Sequence, residues 1–172
     1  RPNQLDYRNC GSSEGLWAAT IRYHEGRFYI VNTLDVQGRT YRYNFVLTTK
    51  DPEGEWSDAV IIQGADGIDP SLYFDENGRM WYCGNMIPED LKYPSHKMIY
   101  LCELDRQTFQ FIGKRHIIYD GNVDHSLFME APHIYRIDGL YYLMTACGGT
   151  QTNHCVNICR SRSLLGPYEP CP

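Results

Sequence analysis

The chain has 172 residues, of which 42% are hydrophobic and 22% are charged, and its formal net charge is −5. This balance is typical of a folded domain with a hydrophobic core and argues against a disordered chain. No run approaches the roughly 20 apolar residues of a transmembrane helix, so a membrane location is not expected. The acidic balance, without clustered Lys and Arg, also argues against binding to nucleic acid.

One motif occurs three times along the chain. Each copy runs through alternating apolar residues into a turn with a glycine and returns as an aromatic-rich run, which is the pattern of a β-hairpin. The copies are WAATIRYHEGRFYIV from Trp17, DPSLYFDENGRMWYC from Asp69 and EAPHIYRIDGLYYLM from Glu130. Their offsets of 52 and 61 residues are typical of four-stranded propeller blades with inserted loops.

A second pair of predicted strands follows each hairpin in chain order. These pairs are YRYNFVLTT with WSDAVII, MIYLCELD with FIGKRHIIY, and VNICRSRS with GPYEP. The sequence therefore predicts an all-β propeller, in which residues 1–172 form part of a single domain with blades starting near residues 17, 69 and 130. Three blades cannot close a ring, since propellers have about four to eight. We expect further blades, and the complementary remainder of the same propeller as a partner.

Trp17, Asp69 and Glu130 each stand nine positions before the turn glycine of their copy. Equivalent positions on the inner strands of a propeller converge at one end of the central channel. Two carboxylates beside an aromatic ring are the minimum apparatus for glycoside hydrolysis, in which one carboxylic acid protonates the leaving oxygen. A nearby second carboxylate favours the protonated form of that acid, so Asp69 could tune Glu130 or act as the base. A turn position for Asp69 alone is the structural alternative.

The chain contains seven cysteines and no CxxC pair, so the sequence predicts free thiols rather than a disulfide framework or a zinc ribbon. This thiol count favours an intracellular location and leaves secretion open. A metal cluster of Cys147, His154, Cys155 and Cys159 is disfavoured, because His154 and Cys155 are neighbours that would point to opposite faces of a strand.

Four segments resemble the hallmark segments of glycoside hydrolase family 43 and together cover nearly the whole chain. They are GLWAATIRYHEGRFYIV, GIDPSLYFDENGR, EAPHIYRIDGLYYLMTACGGT and ICRSRSLLGPYEP. The resemblance implies a five-bladed β-propeller, of which about three blades are present here. It also implies an inverting β-xylosidase or α-L-arabinofuranosidase that uses a base Asp, a pKa-modulating Asp and an acid Glu.

By this resemblance, Glu130 in EAPH matches the general acid and Asp69 in GIDPS matches the modulator. The family's base belongs to a first blade that precedes the segment similar to RPNQLDY, and Asp6, Asp35 and Asp124 do not fit its position. A closing C-terminal blade is also expected outside this chain. We therefore expect the chain alone to be inactive.

The resemblance also implies substrate-binding residues. Trp17 in GLWAAT would line the sugar subsite, although Ala19 replaces the usual proline, and a core position is the alternative. Thr150 and His154 in GGTQTNH match residues at the channel centre, where the family's histidine contacts a central calcium or its waters in several members. Cys147 departs from the pattern, since similar relatives commonly carry Glu there. No cofactor is required by this chemistry, and a structural calcium near His154 is the one metal it suggests.

The segment Gly84–Tyr100 resembles a long loop of the xylosidase and arabinofuranosidase branch. Met86 or Ile87 would lie nearest the sugar, while a solvated surface loop is the alternative. The leading interpretation is an inverting enzyme that releases β-D-xylose or α-L-arabinofuranose from xylan or arabinoxylan, with xylo- or arabino-oligosaccharides as substrates. A non-catalytic carbohydrate-binding propeller is the alternative, and a protein-interaction propeller would leave Asp69 and Glu130 unexplained.

Overall fold

The computed structural model describes residues 4–5, 8, 10–36 and 41–171. Helical structure in this part of the chain is limited to one 3-10 turn at Gly121–Val123. Consequently, none of these residues belongs to a helix long and apolar enough to cross a membrane. The strands form three separate antiparallel sheets that follow each other along the chain, which confirms the predicted blades.

The first blade has a broken inner strand. β1 and β2 both pair with β3 and are separated by residues 17–19, where the chain leaves the ladder. β4 pairs with β3, and the short β5 pairs with β4. The bounds are β1 Gly15–Leu16, β2 Thr20–His24, β3 Arg27–Val36, β4 Tyr41–Thr49 and β5 Val60–Ile61.

The second and third blades each contain four strands in consecutive order. The second blade consists of β6 Ser71–Phe74, β7 Met80–Met86, β8 Met98–Leu104 and β9 Phe111–Asp120. The third consists of β10 Glu130–Ile137, β11 Leu140–Cys147, β12 Cys155–Ser161 and β13 Glu169–Pro170. Neighbouring strands within a blade are antiparallel, so short connections suffice between them.

Two of the inner hairpins close through tight turns at Glu25–Gly26 and Asp138–Gly139. Both residues of each turn have positive φ, at 47° and 76° in the first and 49° and 79° in the second. Such two-residue turns match the right-handed twist of the strands, and glycine at the second position takes this conformation without strain. The turn chemistry therefore fixes the hairpin register that the repeat predicted.

β7 of the second blade is buried on both of its faces. Met80 and Tyr82 pack into a core shared with the first blade. Trp81 and Cys83 point the other way, into a core shared with the third blade. Because side chains alternate between faces of a strand, a central blade needs apolar residues at successive positions.

Polar contacts also join the inner strands of different blades. The buried Ser71 hydroxyl donates to the Pro132 carbonyl at 2.5 Å, and Arg22 donates to Nδ1 of His133 at 2.7 Å. Burial, with the nearby Arg22 cation, lowers the pKa of His133, which suits its role as a neutral acceptor. These contacts link β6 and β2 to β10.

Two predicted boundaries differ from the structure. The predicted loop Gly84–Tyr100 begins and ends inside β7 and β8, which leaves 87–97 as the irregular part. Most of WSDAVII lies outside β5, because the Ser57 hydroxyl accepts from the Thr48 backbone N–H at 3.0 Å and a side-chain bond replaces the strand ladder. Side-chain bonds of this kind compete with regular pairing.

Candidate active site

Glu130 is the first residue of β10, where the strand is irregular. The register with β11 shifts between Glu130 and His133, and Ala131 between them has a φ of 48°. Bulges and strained backbone of this kind re-aim side chains and occur at functional sites. The Glu130 side chain is 19% exposed, and its Oε2 accepts a hydrogen bond from the Lys97 ammonium at 3.1 Å.

Asp69 lies just before β6 with a positive φ of 51°. Its backbone N–H donates to the Thr33 hydroxyl at 3.1 Å, and its carboxylate accepts from the backbone N–H of Ala18. Burial, and then the negative charge of Glu130, raise the pKa of Asp69, while the Lys97 cation opposes this shift. The two predicted carboxyls therefore lie within electrostatic reach of one another.

Trp17 lies in the break between β1 and β2, half-buried, and its backbone N–H donates to the Thr33 carbonyl at 3.1 Å. Thr33 thus bonds both Trp17 and Asp69 and joins the first blade to the start of the second. The Arg42 guanidinium stacks 4.9 Å from the centre of the Trp17 ring and pairs with the buried Asp35 at 3.3 Å. Arg42 therefore covers one face of the Trp17 indole and holds the ring in place.

A cavity of about 330 Å³ adjoins this cluster. Met86 is half-buried in its wall, whereas Ile87 is 67% exposed. Lys97 and Arg42, the two cations of the cluster, also line this cavity. Its lining is Arg42, Asp66, Gly67, Ile68, Asn85, Met86, Ile87 and Lys97. Both predicted loop residues therefore line the same cavity as Lys97 and Arg42.

The loop that carries Lys97 is hydrogen-bonded to the segment that precedes the third blade. His96 is buried, and its Nδ1 accepts from the Lys92 backbone N–H at 3.3 Å, so Nε2 carries the proton that bonds Asp120 at 2.6 Å. The Lys97 carbonyl accepts from the Gly121 backbone N–H at 3.1 Å. These bonds hold the end of the loop and direct the Lys97 side chain to Glu130.

Thr150 and His154 lie on the exposed turn between β11 and β12, at the same end of the blade as Glu130. No hydrogen bond in the described part of the chain joins either side chain to Glu130 or Asp69. The ring Nδ1 of His154 bonds the Gly149 carbonyl at 2.7 Å, which fixes the orientation of the imidazole within its own turn.

A calcium near His154, implied by the family resemblance, stays a prediction. Calcium takes about six to eight oxygen ligands, and imidazole nitrogen is not among those it prefers. Within the described ranges, no three His, Cys, Asp or Glu side chains are grouped as metal ligands would be. The residues described here therefore do not form a calcium site by themselves.

Lys97 and Arg42 are site residues that the sequence reasoning missed. Each lies near the end of a strand outside the repeated hairpins, at β8 and β4. The strand register places Lys97 at the site, because Met98 pairs with Met86 and the residue before Met98 therefore lies opposite Ile87 at the site end of the blade. No motif in the sequence marks either Lys97 or Arg42.

The comparisons with known proteins agree with one another. The model of the family Glycosyl hydrolases family 43 matches residues 1–172. A xylosidase/arabinosidase from Butyrivibrio fibrisolvens is 37% identical over 163 residues, which cover 93% of this chain and 31% of the relative. Xylosidase/arabinosidase 43B from Humicola insolens is 38% identical over 177 residues, with 100% and 32% coverage. The crystal structure of xylan beta-1,4-xylosidase from Bacillus halodurans C-125 matches with a TM-score of 0.88 and 33% identity, covering 100% of this chain and 33% of that one.

The radial blades, with carboxyl groups gathered at one end of their inner strands, define a β-propeller with an acidic site at that end. The chain belongs to glycosyl hydrolase family 43, which confirms the resemblance seen in the sequence motifs. It spans about a third of the length of these three relatives.

Proposed function

We propose that the whole protein containing this chain is an inverting glycoside hydrolase that releases β-D-xylose or α-L-arabinofuranose from xylan or arabinoxylan. The observation that carries the proposal is the cluster of Glu130, Asp69 and Lys97 at the end of the inner strands. Family membership and the names of the relatives, which include xylosidases and arabinosidases, support the substrate class.

Glu130 is the proposed general acid. Its Oε2 is held by Lys97 at 3.1 Å, and the remaining oxygen is free of that bond and can face the glycosidic oxygen of a bound sugar. Its partly exposed position at the strand end leaves room for substrate. Proton transfer to the leaving oxygen by a positioned carboxylic acid contributes about 10²- to 10⁴-fold to the rate.

Asp69 is the proposed modulator of this acid. Two carboxyls in one partly buried site disfavour each other's ionised form. Lys97 neutralises part of the remaining charge and orients Glu130. The raised pKa of Asp69, caused first by burial and then by Glu130, is the expected signature of such a pair.

The proposed base is a further carboxylate that activates water on the opposite face of the sugar, roughly 6.5–9.5 Å from Glu130. Neither Asp35 nor Asp124 suits this role. Asp35 is fully buried against Arg42. Asp124 accepts bonds from Tyr119, Ser126 and Asn157. We therefore propose that another part of the propeller supplies the base.

The proposed sugar subsite is the cavity beside the cluster, with Met86 in its wall and Ile87 at its rim. Trp17 is the proposed aromatic surface next to it, stacked on Arg42 of the lining. Concave sites that combine aromatic and aliphatic walls with a few polar groups are typical of small-ligand binding. Thr150 and His154 approach from the third blade as further proposed contacts. A structural calcium remains a proposal for the whole protein.

The test compares hydrolysis of p-nitrophenyl β-D-xyloside and p-nitrophenyl α-L-arabinofuranoside by the whole protein and its Glu130→Gln variant. The better substrate identifies the pentose. The variant should lose about 10²- to 10⁴-fold in kcat on natural oligosaccharides, which need protonation of the leaving oxygen. It should lose far less on a 2,4-dinitrophenyl glycoside, whose leaving group departs without a proton.

Glu169→Gln is the matched control, because Glu169 is an exposed residue on the outermost strand of the third blade. This change should leave both rates as they are. Equal losses on good and poor leaving groups would show that Glu130 is not the acid. Sugar binding without hydrolysis by the unaltered protein would instead favour the carbohydrate-binding alternative.

A further inference from the structure

Two cysteines face each other across the β11–β12 hairpin. Cys147 ends β11, Cys155 begins β12, and the two are direct register partners. Side chains of opposed residues in an antiparallel pair lie on the same face, with Cβ atoms about 4.5–5.5 Å apart. A disulfide needs about 3.5–4.5 Å, so a small approach at the turn end of the hairpin suffices.

The two thiols also share one cavity. It has a volume of about 370 Å³ and lies between the hairpin and the segment that enters β10. Cys147 is only 3% exposed, whereas Cys155 is exposed. The Cys155 thiol is therefore accessible to a reagent in solution, and the Cys147 thiol beside it is sheltered.

No other strand pair within the described ranges sets two cysteines opposite each other. Cys83 faces Leu101, Cys102 faces Tyr82, and Cys159 faces Pro170. The rival thiols on the blade are Cys159, which packs in one core with Cys147 but pairs with Leu143, and Cys171, which follows the end of β13. Geometry thus singles out one pair among the seven thiols.

We propose that Cys147 and Cys155 form a reversible disulfide by exchange with a low-molecular-weight disulfide such as oxidised glutathione. The bond would join the two ends of the turn 148–154, which carries Thr150 and His154. The protein's active-site end would then exist in a stapled, oxidised form and an open, reduced form.

The exchange takes place in two balanced steps. The Cys155 thiolate attacks one sulfur of oxidised glutathione, which forms a mixed disulfide and releases one glutathione thiolate. Cys147 then attacks Sγ of Cys155, releases the second glutathione and gives its proton to solvent. Burial raises the pKa of Cys147, so this thiol reacts second, once its partner stands beside it as a mixed disulfide.

The test incubates the full chain with oxidised glutathione, blocks remaining thiols in denaturant without reduction, and maps peptides by mass spectrometry. We expect a cross-linked peptide pair joining Cys147 to Cys155, with both sites lost to alkylation in parallel and recovered after dithiothreitol. Cys147→Ser should accumulate a stable glutathione adduct at Cys155, because the resolving thiol is gone.

Cys171→Ser is the matched control and should still form the cross-link. A circular dichroism spectrum like that of the unaltered chain establishes that each variant is folded. A lasting glutathione adduct at Cys155 in the unaltered chain, with Cys147 still alkylated, would overturn the proposal. So would a cross-link that runs through Cys159 or Cys171. Neither outcome depends on glycosidase activity.

Discussion

Asp69 combines a strained backbone with an unfavourable charge environment. Its φ of 51° is sparsely populated for a residue with a side chain, and it is held there by bonds to Thr33 and Ala18. The carboxyl group is partly buried beside Glu130, which raises its pKa. Such residues persist where the surrounding structure determines them, and they usually cost stability in favour of function.

Asp69→Asn should therefore stabilise the chain at neutral pH. A carboxyl whose folded pKa lies above its unfolded value of about 3.9 keeps its proton in the folded state after the unfolded chain has lost it. Its destabilising effect is absent below the unfolded pKa and grows as pH rises through the folded pKa. Asparagine keeps an oxygen that can accept the Ala18 N–H bond and cannot ionise.

Urea unfolding at a series of pH values from about 3 to 7 measures this difference, which should vanish at the acid end. The control is Asp58→Asn, since Asp58 is an exposed residue in the loop before β5. A variant that is less stable than the unaltered chain at pH 7 would contradict the argument. In the whole protein, Asp69→Asn should also reduce glycosidase activity if Asp69 tunes the acid.

The loop that precedes Asp69 contains a glycine, Gly67, whose conformation and close packing leave no room for a side chain. Gly67 has a φ of 79°, and a Cβ atom at this position would overlap the backbone carbonyl of Asn85. Its carbonyl accepts from the Asn44 side chain at 3.2 Å, and the Asn85 side chain donates to the Ile68 carbonyl at 2.7 Å. Two asparagines from neighbouring blades thus satisfy backbone groups that no strand ladder reaches.

Gly67→Ala should destabilise the chain by roughly 3 kcal/mol, from backbone strain together with overpacking, and Gly26→Ala provides the comparison. Both glycines have similar positive φ, so both substitutions carry a strain of about 1–2 kcal/mol. Only Gly67 adds a backbone overlap, because a Cβ at Gly26 meets nothing within 4 Å. Denaturant unfolding of both variants measures the difference, and equal losses would show that the close approach to Asn85 is unimportant.

Periodicity within the hairpins made the blades and two carboxyls predictable. Asp69 and Glu130 share a register position, and a propeller brings such positions to one end. Lys97 and Arg42 enter the site from strands outside the repeat, and their approach depends on blade twist and on packing between blades. A pattern read along one chain does not encode those distances, so the charge partners were missed while the carboxyls were found.

At the scale of the whole molecule, two cores meet at the second blade. Leu72 belongs to the core between the first and second blades, and Leu143 to the core between the second and third. Both are 1% exposed. Since β7 contributes side chains to both cores in alternation, loss of either core exposes one face of the same strand. The three blades should therefore unfold together.

Leu72→Ala and Leu143→Ala should each lower the free energy of unfolding by about 2–5 kcal/mol, through lost burial and the cavity left behind. Urea unfolding followed by tryptophan fluorescence and by far-ultraviolet circular dichroism tests the coupling. Trp17 and Trp56 report on the first blade and Trp81 on the second, while circular dichroism reports on all strands. Ile137→Ala is the control. Its side chain is 54% exposed, so the change should alter stability by no more than about 0.5 kcal/mol.

If the fluorescence and circular dichroism curves coincide in both core variants, the three blades unfold as one cooperative unit. A fluorescence transition that precedes the loss of strands in Leu72→Ala would mean that the first blade unfolds alone.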